Sequence, residues 1–271
     1  MKNSYSYSSY KKSPYKSIKH STYFESYDHF FSKYRGKNIT FVEIGILSGG
    51  SLFMWREFFG DQARIIGVDF NENALKWKKF GFEIFIGDQS NKDFWEEFKK
   101  DIGNIDIVLD DGGHTYQQQI MTIESLLETI NDGGIILVED THTSYLDGFG
   151  PSKFSFINYV KNLIDKINYR FGEFSRFRSE RRVWSIEIIE SMVAFRVNRK
   201  ASNLDSFPTD NDGLSDLAKD ARYKEISSIN FLKEIKNKLP FLEKIPLSRV
   251  LAKLYKSYLV NKNFDSKKYF N

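Results

Sequence analysis

Two short apolar runs that stop abruptly in acid constrain this chain more than any other feature. Ile105 to Leu109 is followed by Asp110 and Asp111, and Ile135 to Val138 by Glu139 and Asp140. Neither run alternates polar with apolar residues, so both predict strands buried on two faces, as in a parallel sheet covered by helices. If the strands lie parallel and side by side, their acids converge on one edge. In open α/β sheets that carboxyl edge is where ligands bind.

The same grammar recurs upstream. Residues 39–44 predict the first strand, Gly45, Gly49 and Gly50 punctuate the next turn, and Ser51 to Phe59 carries apolar residues at helical spacing. Arg64 to Val68 predicts a strand ended by Asp69, and Phe82 to Ile86 one ended by Gly87 and Asp88. Helical stretches are expected near 71–79, 91–100 and 116–130, so strand and helix alternate in a doubly wound pattern with right-handed crossovers. Beyond Tyr145, Phe154 to Ile167 predicts a helix. Val183 to Ile189 and Met192 to Asn198, split by Glu190 and Ser191, predict a closing antiparallel hairpin.

The flanks differ from this core. Residues 1–37 form a basic, Tyr-rich arm, 38–199 the main domain, and 200–271 a linker followed by a basic helical extension. The first 20 residues show no periodic apolar face, which predicts a mobile leader. Tyr23, Tyr27, Phe30, Phe31 and Tyr34 recur at helical steps. This stripe packs on the main domain or forms a lid over a substrate, with His20 or His29 facing the pocket. Near the C-terminus, Ile226 to Leu239 and Leu247 to Val260 predict helices separated by Pro240 and Pro246.

The net charge of +4 hides an uneven distribution. The balance is about +6 over residues 1–40, about −9 over 41–223 and about +7 over 224–271. Lys-rich solvated surface accounts for the basic ends, and no nucleic-acid partner is expected; peripheral contact of the C-terminal arm with an anionic membrane and homo-oligomerisation stay open. No run approaches the roughly 18–20 apolar residues of a membrane span, and the polar start lacks a signal-peptide core, so the expected location is cytoplasmic. With no cysteine, thiolate catalysis and Cys-ligated zinc are excluded.

The turn Glu43-Ile44-Gly45-Ile46-Leu47-Ser48-Gly49-Gly50-Ser51 lacks the glycine spacing of a pyrophosphate loop. Glu43 before it would repel a pyrophosphate but accept hydrogen bonds from an ammonium group, which favours a cofactor with a cationic amino-acid end. Asp69 is placed to grip both hydroxyls of a ribose, and Asp88 with Gln89 to meet an adenine amino group.

The stretches EIGILSGGS, GVD, GDQ, LDDGGHT and VEDTHTSY resemble those of the class I S-adenosylmethionine-dependent methyltransferases. More narrowly, they are similar to the metal-dependent sugar O-methyltransferases of the macrocin and mycinamicin type and of surface-polysaccharide clusters. The resemblance spans about residues 18–146 and leaves the C-terminal arm uncovered. It implies a Rossmann-like, mostly parallel seven-stranded sheet, S-adenosyl-L-methionine at Glu43, Gly45, Gly49, Ser51, Asp69, Asp88 and Gln89, and Mg2+ or Mn2+ at Asp111, Glu139 and Asp140.

It also implies His114 as the base that deprotonates a sugar or glycan hydroxyl. From the residues alone, Asp110 competes with Asp111 as a ligand, and His142 competes with His114 as base. A hard divalent cation and an imidazole suit this chemistry, because an unactivated hydroxyl must lose its proton as it attacks. A catechol O-methyltransferase and a non-catalytic scaffold are the alternatives.

Overall fold

The computed structural model describes residues 4–174, 176–213, 246–262 and 264–270, together with residues 231, 234, 235, 237 and 238. The chain divides into two compact units, Met1–Pro208 and Thr209–Asn271. The first is built on one sheet of β1 (Thr40–Ile44), β2 (Arg64–Asp69), β3 (Glu83–Ile86), β4 (Ile105–Asp110), β5 (Ile130–Val138), β6 (Ser185–Ile189) and β7 (Met192–Arg196).

Their order is β3-β2-β1-β4-β5-β7-β6. The first five are parallel, and β7 runs antiparallel to both β5 and β6. The expected doubly wound sheet with a terminal hairpin is therefore what the chain forms. The sheet starts in its middle with β1, winds outward to β3, then returns to place β4 on the other side of β1. That reversal opens a crevice at the carboxyl ends of β1 and β4.

Successive residues of the central strands supply opposite cores, as the two-residue period of a strand requires. Leu109 and Leu137 join Phe31, Phe41, Trp55 and Phe59 on one face. Val108 and Val138 join Trp95, Phe98, Leu126 and Phe156 on the other. The first face is covered by α1 (Tyr5–Lys12), α2 (Tyr23–Phe31) and α3 (Gly50–Phe59), the second by α4 (Lys92–Ile102), α5 (Tyr116–Leu126) and α6 (Phe156–Asn168). Local chemistry sets the helix starts: Asn91 caps α4, and Thr115 with Gln118 forms a reciprocal capping box on α5. The stretch expected as a helix near 71–79 is a 3-10 helix, Glu72–Phe80.

The N-terminal arm departs from the expected mobile leader. Tyr5–Lys12 is helical, with Ser6 and Ser9 on its buried side and the amides of Tyr5 and Ser6 donating to Asp28 in α2. The buried positions are small hydroxyl residues, so no apolar period marks them. After α1 the chain crosses the glycine turn as a strap over residues 13–20. Ser13 Oγ donates to the Gly50 carbonyl at 2.7 Å, and the Tyr15 ring lies 4.6 Å from that of Trp77. A side chain at Gly50 would strike the Tyr15 carbonyl oxygen, so glycine here admits the strap.

After β7, Arg199–Ser202 forms one helical turn, α7, where a linker was expected to begin. In the second unit Pro246–Lys262 is a helix that leaves Val250, Leu254 and Tyr258 exposed. The helix expected over Ile226 to Leu239 lies largely outside the described residues. No described helix is long and apolar enough to cross a membrane.

Candidate active site

Five strand ends are locked into one line by four backbone hydrogen bonds that extend the sheet past its edge. The amides of Gly45, Gly87, Asp111 and Glu139 donate to the carbonyls of Val68, Asp69, Ile44 and Asp110. Beyond them opens a cleft of about 840 Å³, lined among others by Gly45, Asp69, Asp88, Asp111, His114 and Asp140. A smaller cavity of about 110 Å³ lies between the strap, at Lys16 to Ile18, and the glycine turn, at Gly45, Ser48 and Ser51.

The turn is built for close approach. Gly45 has φ +82°, and a Cβ there would lie 2.1 Å from the Asp111 carbonyl oxygen; Gly49 has φ +74° and packs on the Trp77 ring. Leu47, His114 and Asp140 hold positive φ despite their side chains. Such backbone costs about 1–3 kcal/mol per residue and clusters at functional sites.

The expected cofactor residues divide into two groups. Asp69 and Asp88 line the cleft; Asp69 also ties the glycine turn after β1 to its own loop, and Asp88 braces the loop that follows it. One Asp69 oxygen accepts from the amides of Ile46 and Leu47, the other from Asn71, and Asp88 accepts from Ser90. Gln89 lines the cleft and is also a joint beneath it: its amide group donates to both Asp110 oxygens and to Thr122, and its carbonyl oxygen accepts from Gly113. Asp110 is buried in this joint, and burial pushes its carboxyl up to about 6. The structure thus separates two neighbours that the sequence left interchangeable, since Asp110 faces inward and Asp111 faces the cleft.

Glu43 is fully buried. Its Oε1 accepts from the Trp55 indole at 3.1 Å, whereas Oε2 has no hydrogen-bond partner among the described residues. Burial pushes this carboxyl up, with Lys19 the main opposing influence.

At the metal end, Asp111, His114 and Asp140 bring one potential ligand atom each to within 4.8 Å of one another. His114 Nε2 lies 3.4 Å from Asp140 Oδ2 and 3.9 Å from Asp111 Oδ1, and its buried Nδ1 has no partner among the described residues. Glu139 is turned inward. Its Oε1 accepts from the Tyr27 hydroxyl at 2.5 Å, and its Oε2 lies 3.4 Å from Lys19 Nζ. His142 stands outside the cleft lining, with Nδ1 2.5 Å from Ser191 Oγ. Of the two lid histidines, His20 comes within 3.8 Å of Asp140, while His29 pairs with Glu187 on the far side of α2.

Lys19, Tyr23 and Tyr27 are site residues that sequence reasoning missed. Lys19 Nζ is buried 2.7 Å from Asp111 Oδ2. Burial opposes its charge, but Asp111, Glu139 and Glu43 hold its ammonium well above the ordinary range. Tyr23 donates to Asp140 at 2.5 Å. The tyrosines carried a usable signal: they sit four residues apart on an apolar stripe, and a buried phenol needs an acceptor. Lys19 carried none, being one lysine among many in a basic arm.

The sheet order, the glycine turn and the acidic edge define the Rossmann-like class I methyltransferase fold. Residues 42–141 match the family model described as "Methyltransferase domain", so this part of the chain carries such a domain. The chain is 30% identical over 159 residues to the 8-demethyl-8-alpha-L-rhamnosyl tetracenomycin-C 2'-O-methyltransferase of Streptomyces olivaceus, a match covering 55% of this chain and 42% of the relative. It is 31% identical over 157 residues to the mycinamicin VI 2''-O-methyltransferase of Micromonospora griseorubida, covering 53% and 39%. Among solved structures it is similar to MycE methyltransferase from the mycinamycin biosynthetic pathway in complex with Mg and SAH, with TM-score 0.66 and 25% identity over 76% of this chain and 56% of that one. The chain spans about two fifths of the length of the curated relatives it matches.

Proposed function

We propose that this protein is an S-adenosyl-L-methionine-dependent, divalent-metal-dependent O-methyltransferase acting on a sugar hydroxyl of a glycosylated small molecule. One observation carries the reading: Asp111, His114 and Asp140 converge at the rim of a cleft whose other end is lined by Asp69 and Asp88. The relatives named above support the sugar acceptor over a catechol, and a natural-product glycoside over a surface polysaccharide. The catalytic domain is proposed to span 38–199, with 1–37 as its lid and 200–271 as an extension. A cytoplasmic location, self-association and membrane contact through the exposed Val250, Leu254 and Tyr258 beside Lys253 belong to the same proposal.

The residues fit the two groups that the reading requires. The unpartnered Glu43 Oε2 suits an ammonium donor, and the close packing at Gly45 lets backbone amides approach a cofactor. The carboxylates of Asp111, Glu139 and Asp140 suit Mg2+ or Mn2+, whose preferred ligands are oxygens. When bound, the metal supplies Lewis acidity that lowers the pKa of the acceptor hydroxyl, and the cofactor supplies an electrophilic methyl group.

The protein's part is orientation and proton transfer. Asp69 and Asp88 bind the nucleoside end, and Glu43 the amino-acid end. His114 would take the proton that the acceptor hydroxyl loses. His142 is the second candidate for this role.

Calorimetric titration of metal-free protein with S-adenosylhomocysteine, repeated with Mg2+, tests the cofactor. One-site binding in the micromolar range or tighter is expected. Methyl-transfer assays with rhamnosyl glycosides and catechols side by side then test the acceptor. Absence of binding by folded protein, or methylation of catechols alone, overturns the reading.

A further inference from the structure

The segment between α6 and β6 gathers aromatic rings at the surface instead of burying them. Phe171, Phe174, Phe177 and Trp184 are 40–47% exposed. A bridge between Phe171 and Ser206 brings in the stretch that carries Leu204 and Phe207, which are 66% and 72% exposed. Tyr169 stacks on Phe177 with ring centroids 4.7 Å apart, and Phe174 lies 6.1 Å from Tyr169 and 6.5 Å from both Phe171 and Phe177. The rings hold one another in place, so contact with a partner would immobilise little that is free. Contiguous exposed apolar surface of this kind marks an interaction site.

The cluster lies at the sheet edge opposite the cleft. Ser185 at the start of β6 pairs with Arg196, and Arg196 with Ile135, whereas Ile188 pairs through Val193 with Val138, the residue before Glu139. Strand β6 therefore leads from the cluster toward the acidic edge. A partner seated on the cluster leaves the cleft open.

Charge selects the partner. Arg170 donates to the Glu180 and Val183 carbonyls, Arg181 to Asp205, and Arg182 to Glu180 and Glu124. Arg176 and Arg178 are exposed and have no acidic partner among the described residues, and the Arg176 guanidinium stands 4.9 Å from the Phe177 ring centroid. We propose that this face docks on an anionic lipid surface, its rings entering the interfacial layer and Arg176 and Arg178 meeting lipid phosphates. A second copy suits the face poorly, because a two-fold contact sets the same patch against itself and brings the arginines of both copies together. The face is independent of the methyl-transfer reading and involves neither the cleft nor the second unit.

The test is sedimentation of the full chain with vesicles of equimolar phosphatidylcholine and phosphatidylglycerol, and with vesicles of phosphatidylcholine alone. Binding is expected to be about tenfold or more tighter on the anionic vesicles. Arg176→Gln combined with Arg178→Gln should weaken it about tenfold or more, since each arginine near the surface contributes about fivefold. Leu204→Ser combined with Phe207→Ser should weaken it about fivefold or more through the lost apolar contact. All four positions are exposed, and an unchanged melting temperature shows that each double variant is folded.

Wild-type protein that does not sediment with the anionic vesicles overturns the proposal. So does binding within about twofold of wild type in either double variant, the range of an ordinary surface substitution, and its loss in Leu254→Ser instead assigns the contact to the second unit. A dimer in analytical ultracentrifugation that either double variant dissociates gives the face to a second copy. Binding of a single-stranded oligonucleotide, lost in the arginine variant and unmatched by vesicle binding, gives it to nucleic acid.

Discussion

The Tyr27 hydroxyl donates to Glu139 Oε1 at 2.5 Å, so a helix outside the sheet holds the acid that ends β5. Both residues are buried. Tyr27→Phe leaves a carboxylate oxygen without its donor at nearly constant volume, and is expected to cost about 1–3 kcal/mol. Thermal melting should fall by about 2–12 °C. An unchanged midpoint would show that Glu139 draws its stabilisation from Lys19 alone.

Gly45 is where β1 meets the loop after β4, and its positive φ and the Asp111 carbonyl both exclude a side chain. Gly45→Ala is expected to destabilise by about 3 kcal/mol or more, because strain and overlap add at one residue. Urea unfolding measures it. A loss under about 0.5 kcal/mol, the range of ordinary surface substitutions, would mean that the edge is softer than its hydrogen bonds indicate.

Asp69 and Asp111 should fail in opposite ways. Asp69→Ala removes acceptors for Ile46, Leu47 and Asn71 as well as the proposed ribose contact, and should weaken S-adenosylhomocysteine binding by about tenfold or more. Asp111→Asn should leave that binding within about threefold while methyl transfer in Mg2+ falls by about a hundredfold or more. Calorimetry and a methyl-transfer assay separate the two, and full activity in Asp111→Asn removes it from the metal site.

Arg182 joins Glu180 at 2.8 Å and Glu124 at 2.9 Å. Burial alone would raise both glutamates, but the Arg182 hydrogen bonds outweigh it and hold both below the usual glutamate range. A depressed folded-state pKa contributes stability above the unfolded value, about 4.3, which is lost as pH falls through the folded one. Arg182→Ala should therefore be less stable than wild type at pH 7, with the difference shrinking toward pH 3. Urea unfolding at the two pH values measures this, and a pH-independent difference would assign Arg182 a packing role.

Much of the fold was legible because its determinants are local. Runs such as Ile105 to Leu109 and Ile135 to Val138 can be buried on both faces only in a covered sheet, and the residues after them mark the carboxyl edge. The expectation that Asp111, His114, Glu139 and Asp140 share one edge came from this pattern, and the structure brings Asp111, His114 and Asp140 within 4.8 Å of one another. Helix α1 was illegible for the converse reason: it buries Ser6 and Ser9, and hydroxyl residues give no hydrophobic period.

The sequence by itself determined the doubly wound order, the hairpin that closes the sheet and which loops carry the acids, because strand period, turn glycines and crossover handedness act over short range. Only the tertiary structure decided what each acid faces. Asp110 and Asp111 are chain neighbours, yet one is bound by Gln89 inside the protein and the other opens onto the cleft, since successive strand residues point to opposite sides. Lys19 and Glu139 lie 120 residues apart, and their contact exists because the anchored strap and the end of β5 meet at one edge. Pairing of that kind is set by the packed whole, which no local pattern encodes.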